Sequence, residues 1–138
     1  MIRTSSTKAI VDQFFGAYSK HDINGIREVM AEDVTWYFLG DHPYAGVKKG
    51  VNEVVGFFDV MAGLMAKAKT EMHKIIVSEN EDHFIECQRS SSVREDGLSL
   101  EHYSCVLWTI AHGKIVEGRH FFSDQKAVDR YFTAVASK

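Results

Sequence analysis

The feature that most limits what this chain can fold into is a change of hydrophobic period near Thr70. Before it, apolar residues recur at three- and four-residue spacing; after it, they alternate with polar ones. Met72 to Ser78, His83 to Arg94, Ser99 to Ala111 and Lys114 to Phe122 therefore read as four consecutive strands. Asp96-Gly97 is a two-residue hairpin signal between the second and third, and His112-Gly113 turns the chain between the third and fourth. Connections this short allow only antiparallel neighbours. An antiparallel sheet follows.

The earlier segment supplies helices to cover that sheet. Ser5, Ser6 and Thr7 offer N-caps to a helix running to about Lys20, whose Ile10, Val11, Phe14, Phe15 and Tyr18 form one stripe. Asp22 or Asn24 caps a short helix through Met30, with Ile26, Val29 and Met30 inward. Val34 to Leu39 is β-branched and aromatic, a strand, and Gly40 to Gly46 with His42-Pro43 is a loop. A helix from about Gly50 to Lys67 carries Val51, Val54, Phe57, Phe58, Met61, Leu64 and Met65. After the last strand, Ser123 or Asp124 caps a final helix with Ala127, Val128, Tyr131, Phe132 and Val135 apolar. Helices gathered on one face of a curved sheet make an α+β fold.

Bulk properties narrow the function classes. With 138 residues, 45% hydrophobic, residues 1–138 are expected to form one domain with a real core. A net charge of −3 with interspersed signs leaves no basic stripe, so no nucleic-acid partner is expected. No apolar run approaches membrane-spanning length and Met1 to Ala9 lacks a signal-peptide core, so a cytoplasmic protein without a membrane partner is expected. Cys87 and Cys105 stand alone, with no C-x-x-C pair, and read as reduced thiols. Seven histidines fall in neither an H-x-x-x-H nor an H-E-x-x-H pattern, so no metal is expected. Without a glycine-rich phosphate cradle, no cofactor is expected either.

Facing decides which strand residues could form a site. With a two-residue turn at Asp96-Gly97, Glu95 pairs with Leu98, Val93 with Leu100, Ser91 with His102 and Arg89 with Ser104. Two inner sets remain open: one with Arg89, Ser91 and His102, the other with Gln88, Ser92, Glu101 and Cys105.

Several motifs carry a family resemblance over nearly the whole chain. Lys114-Ile115-Val116-Glu117-Gly118-Arg119-His120-Phe121-Phe122 before Ser123-Asp124, together with Asp33-Val34-Thr35-Trp36, His42-Pro43-Tyr44-Ala45-Gly46, Lys49-Gly50 and Phe57-Phe58, resembles the SnoaL-like branch of the nuclear transport factor 2-like (NTF2-like) superfamily. The resemblance implies a cone in which a curved antiparallel sheet wraps around N-terminal helices over a central ligand pocket. It also implies a homodimer through the outer sheet face, where Glu117 and Arg119 would point. Similar strands in limonene-epoxide hydrolases carry an Arg-x-Asp pair on the cavity side, which falls on Arg89-Ser90-Ser91, and an aspartate that falls on His120. This selects Arg89, Ser91, His102, Ser104, His120 and Phe122 as the inner set, joined by Tyr18, Trp36, Phe38, Tyr44, Met61 and Met65.

The departures from these relatives matter for chemistry. Ser91 and His120 replace both hydrolase aspartates, and Trp36 and Phe38 replace the residues that hold the attacking water, so epoxide hydrolysis by that route is not expected. Ketosteroid isomerases pair a tyrosine, matched by Tyr18, with an aspartate base whose place Phe38 takes; the third position falls on Cys105 or Val106. The aspartate of polyketide cyclases again falls on His120. The expected function is a small-molecule pocket, with His120 as proton shuttle and Arg89 and His102 stabilising charge on a partly apolar carbonyl compound. The expected enzyme class is a cofactor-independent isomerase, cyclase or dehydratase; a non-catalytic binding domain and a dimeric interaction module with a vestigial cavity are the alternatives.

Overall fold

The computed structural model describes residues 6–137. The candidate cap Ser5 lies outside the described residues; Ser6 caps α1 (Thr7–Ser19), its hydroxyl accepting the Ala9 N–H at 3.0 Å. Asp22 caps α2 (Ile23–Glu28) by accepting from Gly25 N–H at 3.0 Å. That helix ends before Met30, which opens β1 (Met30–Phe38) instead of closing a helix. The Ile115 N–H donates to the Val29 carbonyl at 2.8 Å, drawing this stretch into the sheet four residues before the expected start. Glu32 and Asp33, exposed at a register shift, hide the alternation there.

A short strand, β2 (Gly46–Lys49), was not expected; it pairs antiparallel with β1 from Thr35↔Lys49 to Phe38↔Gly46. Four residues carrying two lysines give too little pattern to read, yet suit a sheet edge. Then come α3 (Val51–Ala66), β3 (Ala68–Glu79), β4 (His83–Arg94), β5 (Ser99–Ala111), β6 (Lys114–Phe122) and α4 (Gln125–Ala136). The six strands lie in the order β2-β1-β6-β5-β4-β3, with β1 and β6 parallel and the other pairs antiparallel. This is the α+β architecture expected, a curved sheet with helices. No helix among the described residues is long and apolar enough to cross a membrane.

The two turns differ in kind. His112 and Gly113 both have left-handed backbone, φ 52° and 74°, so Ala111 pairs with Lys114 around two residues. At the β4–β5 turn only Gly97 is left-handed, at φ 93°. The Arg94 N–H donates to Leu98 C=O at 2.8 Å and the Gly97 N–H to Arg94 C=O at 3.0 Å. The loop is therefore Glu95-Asp96-Gly97, three residues long. Every pair moves by one: Ser90 faces His102, Gln88 faces Ser104 and Cys87 faces Cys105. A one-residue shift turns every β4 side chain to the other face.

Aromatic packing closes the inner side. Trp36 and Trp108 are each nearly fully buried, with ring centroids 5.0 Å apart. Phe14 from α1 meets Phe58 from α3 and Trp108 from β5, each at 5.0 Å. Gly118 lies beside Trp36 on β1 and opposite Trp108 on β5, leaving room for both indoles.

Candidate functional site

The inner face follows from alternation in the observed register. Phe84, Glu86, Gln88 and Ser90 are buried on β4, and Leu100, Ser104, Val106, Trp108 and Ile110 on β5. On β6, His120 lies opposite the buried Val106, and Phe122 opposite the buried Ser104. Rows of neighbours thus cross the sheet: Ser90 with His102, Gln88 with Ser104 and Phe122, Glu86 with Val106 and His120.

Three imidazoles pack against one box of aromatic rings. The ring of His120 lies 5.0 Å from Phe38, 5.6 Å from Trp36 and 5.9 Å from Phe122. His102 lies 5.4 Å from Phe122. His42, on the loop between β1 and β2, packs 5.5 Å from Phe38 and 4.9 Å from Phe132 of α4. Among the described residues, His120 Nε2, His102 Nδ1 and His42 Nε2 are all buried with no hydrogen-bond partner, as is Gln88 Oε1. Buried polar atoms are normally paired, so these nitrogens keep hydrogen-bonding capacity that the protein itself does not use. The His42 tautomer is set locally: Tyr44 N–H donates to His42 Nδ1 at 3.2 Å, which leaves the neutral ring's proton on Nε2.

Electrostatics keep these rings uncharged. Burial, aided by His102, lowers the His120 pKa to about 4, and burial lowers that of His102. Burial also lowers His42, opposed by Asp129 and Asp41 and reinforced by Lys48. On the same sheet face, burial raises Glu86, against the pull of Lys74 and Trp108; the Lys74 Nζ stands 3.7 Å from its Oε2. At neutral pH the box presents uncharged imidazoles, able to accept or donate hydrogen bonds without a resident charge.

Several expected site residues stand elsewhere. Arg89 and Ser91 belong to the outer face, because the three-residue turn reverses β4; Arg89 is exposed and lies 3.8 Å from Glu101. Tyr18 donates to Met65 Sδ at 3.4 Å and is separated from His120 by Phe58 and Trp36, which pack edge-to-face in succession. Met65 is 39% exposed and Met61 is buried in the core. Trp36 is buried in the core, 1% exposed, and forms one wall beside His120. Tyr44 packs against His42 and Phe132 at the loop. His102, Ser104, His120, Phe38 and Phe122 do face one region. His42 and Glu86 were not expected there: a loop histidine beside proline looks solvated, and Glu86 follows only from the even-numbered alternation that begins at Phe84. As Arg89 is exposed and its ion-pair partner is an exposed acid, Arg89→Ala should change stability by less than about 1 kcal/mol and leave ligand affinity unaltered, by denaturant melts and titration.

Two clefts lie away from the box. One of about 770 Å³ is lined by Ala66–Lys69 and Val93–Asp96, and one of about 320 Å³ on the outer face by His73, Ile75, Arg89 and Tyr103. At the box itself, His42, His102, His120 and Phe122 are half-buried.

Comparison with known proteins agrees with this architecture. An uncharacterised protein of Mycobacterium tuberculosis is 26% identical over 123 residues, 89% of this chain and 93% of the relative. An NTF2-like protein from Burkholderia xenovorans superposes with a TM-score of 0.78 at 19% identity, over 94% of this chain and 99% of that one. TerC, co-crystallised with polyporic acid, superposes with a TM-score of 0.71 at 17% identity, over 89% and 95% of the two chains. Residues 11–118 match the SnoaL-like domain model, most of the length, and the chain belongs to the SnoaL-like domain family.

Proposed function

We propose that this chain is a small-molecule pocket protein that takes an uncharged, partly aromatic carbonyl compound into the box formed by His120, His102 and His42. The observation that carries the reading is the convergence of three buried, unpartnered imidazole nitrogens on the rings of Phe38 and Phe122. His120, neutral at physiological pH, accepts the proton α to the carbonyl, while His42 Nε2–H donates to the carbonyl oxygen. His102 positions the ligand from the opposite strand. A TerC crystal holding polyporic acid supports small-molecule binding on this fold.

With Arg89 outside, the cationic electrophile expected from the sequence is missing, which favours binding without turnover as the second reading. α-Proton exchange of 2-tetralone in D₂O separates the two. Catalysed exchange that falls about 100-fold or more in His120→Gln supports proton transfer. Saturable binding without catalysed exchange supports a binding domain, and neither result would remove the site. His42→Phe is expected to weaken tetralone binding roughly tenfold, the worth of one hydrogen bond.

The outer face invites a second copy of the chain. Tyr103, Phe121 and Ile76 are 54%, 51% and 59% exposed, beside the Arg119–Glu117 pair at 2.9 Å. Sedimentation at rising protein concentration tests the dimer; a monomer throughout rejects it.

A further inference from the structure

The two cysteines that look solitary in sequence are neighbours in the sheet. Cys87 and Cys105 are directly opposed on β4 and β5, with sulfurs 2.6 Å apart. Both are free thiols and half-buried, on the outer face between Ile76 of β3 and Phe121 of β6. Arg94 and Leu98 form a hydrogen-bonded pair at the head of this ladder, and the register is unbroken from there to Cys87. Hydrogen-bonded and non-hydrogen-bonded pairs alternate along antiparallel strands. Cys87 and Cys105 therefore occupy a non-hydrogen-bonded site, where Cα atoms lie about 4.5 Å apart and side chains approach most closely. That spacing falls at the short end of what a disulfide spans, roughly 4.4–6.8 Å.

We propose that Cys87 and Cys105 form an oxidative modification site: a reversible cross-strand disulfide that low-molecular-weight disulfides close on the outer face of the sheet. One thiolate attacks oxidised glutathione, forming a protein–glutathione disulfide and expelling one glutathione thiolate. The second cysteine, as thiolate, attacks the protein sulfur of that bond and expels the other. The protein loses two protons and two electrons, and one oxidised glutathione becomes two reduced molecules. The neighbouring thiol is in contact from the start, so the mixed disulfide does not accumulate. Burial and Cys87 push the Cys105 thiol up to about 11, so closure should quicken as pH rises above neutrality.

This site does not depend on the ligand reading, and it is tested without any ligand. Dilute reduced protein is incubated with oxidised glutathione at pH 8.5, quenched in acid, then analysed by thiol titration and intact mass. Both thiols are expected to disappear with a mass loss of about 2 Da, and dithiothreitol should restore them. Trypsin cuts after Lys74, Arg89, Arg94 and Lys114, so residues 75–89 and 95–114 should emerge joined only in the oxidised sample. Two thiols that stay titratable, a stable glutathione adduct, or a link between two chains would each overturn the proposal.

Discussion

Gly118→Ala is expected to lower the melting temperature by about 10 °C, a loss of roughly 3 kcal/mol or more. A Cβ at Gly118 would stand 2.1 Å from Cζ3 of Trp36 and 2.4 Å from two other atoms of the same indole. Trp36 is 1% exposed and wedged among Phe58, Trp108 and His120, so the ring has nowhere to swing. Gly118 does not have positive φ, so the backbone itself would accept alanine and even gain strand propensity. The penalty is purely steric. Combining Gly118→Ala with Trp36→Leu should therefore cost less than the sum of the two single changes, by a double-mutant cycle. A single variant that melts within about 2 °C of the parent would show that the indole does not sit over Gly118.

Acid should weaken the fold through the buried imidazoles. His120 titrates near 6.5 when unfolded and at about 4 when folded, so the unfolded chain binds its proton first. Stability from His120 is complete above about 6.5, falls as pH drops toward about 4, and changes little below that. His102 is lowered in the same direction. Glu86 works the other way: its raised pKa makes protonation favour the fold, which offsets part of the loss in the lower part of that window. Between pH 7 and pH 4.5 the protein should lose on the order of 2 kcal/mol through His120, by urea melts at each pH. His120→Gln should flatten that slope. An unchanged slope in the variant would show that His120 is not held neutral by the fold.

The architecture was largely legible because it rests on local pattern. The bounds expected for β4, β5 and β6 are those observed, and α1, α2 and α4 begin at polar caps. The motifs around Trp36, His42 to Gly46 and His120 placed the chain in its family before the sheet order was known. Short elements were harder: β2 is four residues of mostly lysine and valine pattern, and β1 starts in a polar stretch that only its pairing with β6 draws into the sheet.

Which side chains share the inner face was a different matter. Asp-Gly serves equally in a two-residue turn, with both residues left-handed, or at the end of a three-residue turn with glycine alone left-handed. The amino acids permit either; the observed φ at Gly97, with Asp96 outside the left-handed region, selects the second. Because strand side chains repeat every two residues, that single choice moved Arg89 and Ser91 out, brought Gln88 and Ser90 in, and put Cys87 against Cys105. His42 likewise is half-buried because α4 brings Phe132 against its ring, a contact between residues far apart in the chain. The sequence by itself determined the α+β fold, since hydrophobic period and capping act over a few residues, while the inward facing of His102, Ser104 and His120 came from the family resemblance. The tertiary structure alone decided the site's remaining members, because facing across a hairpin depends on turn geometry and on contacts between residues far apart in the chain.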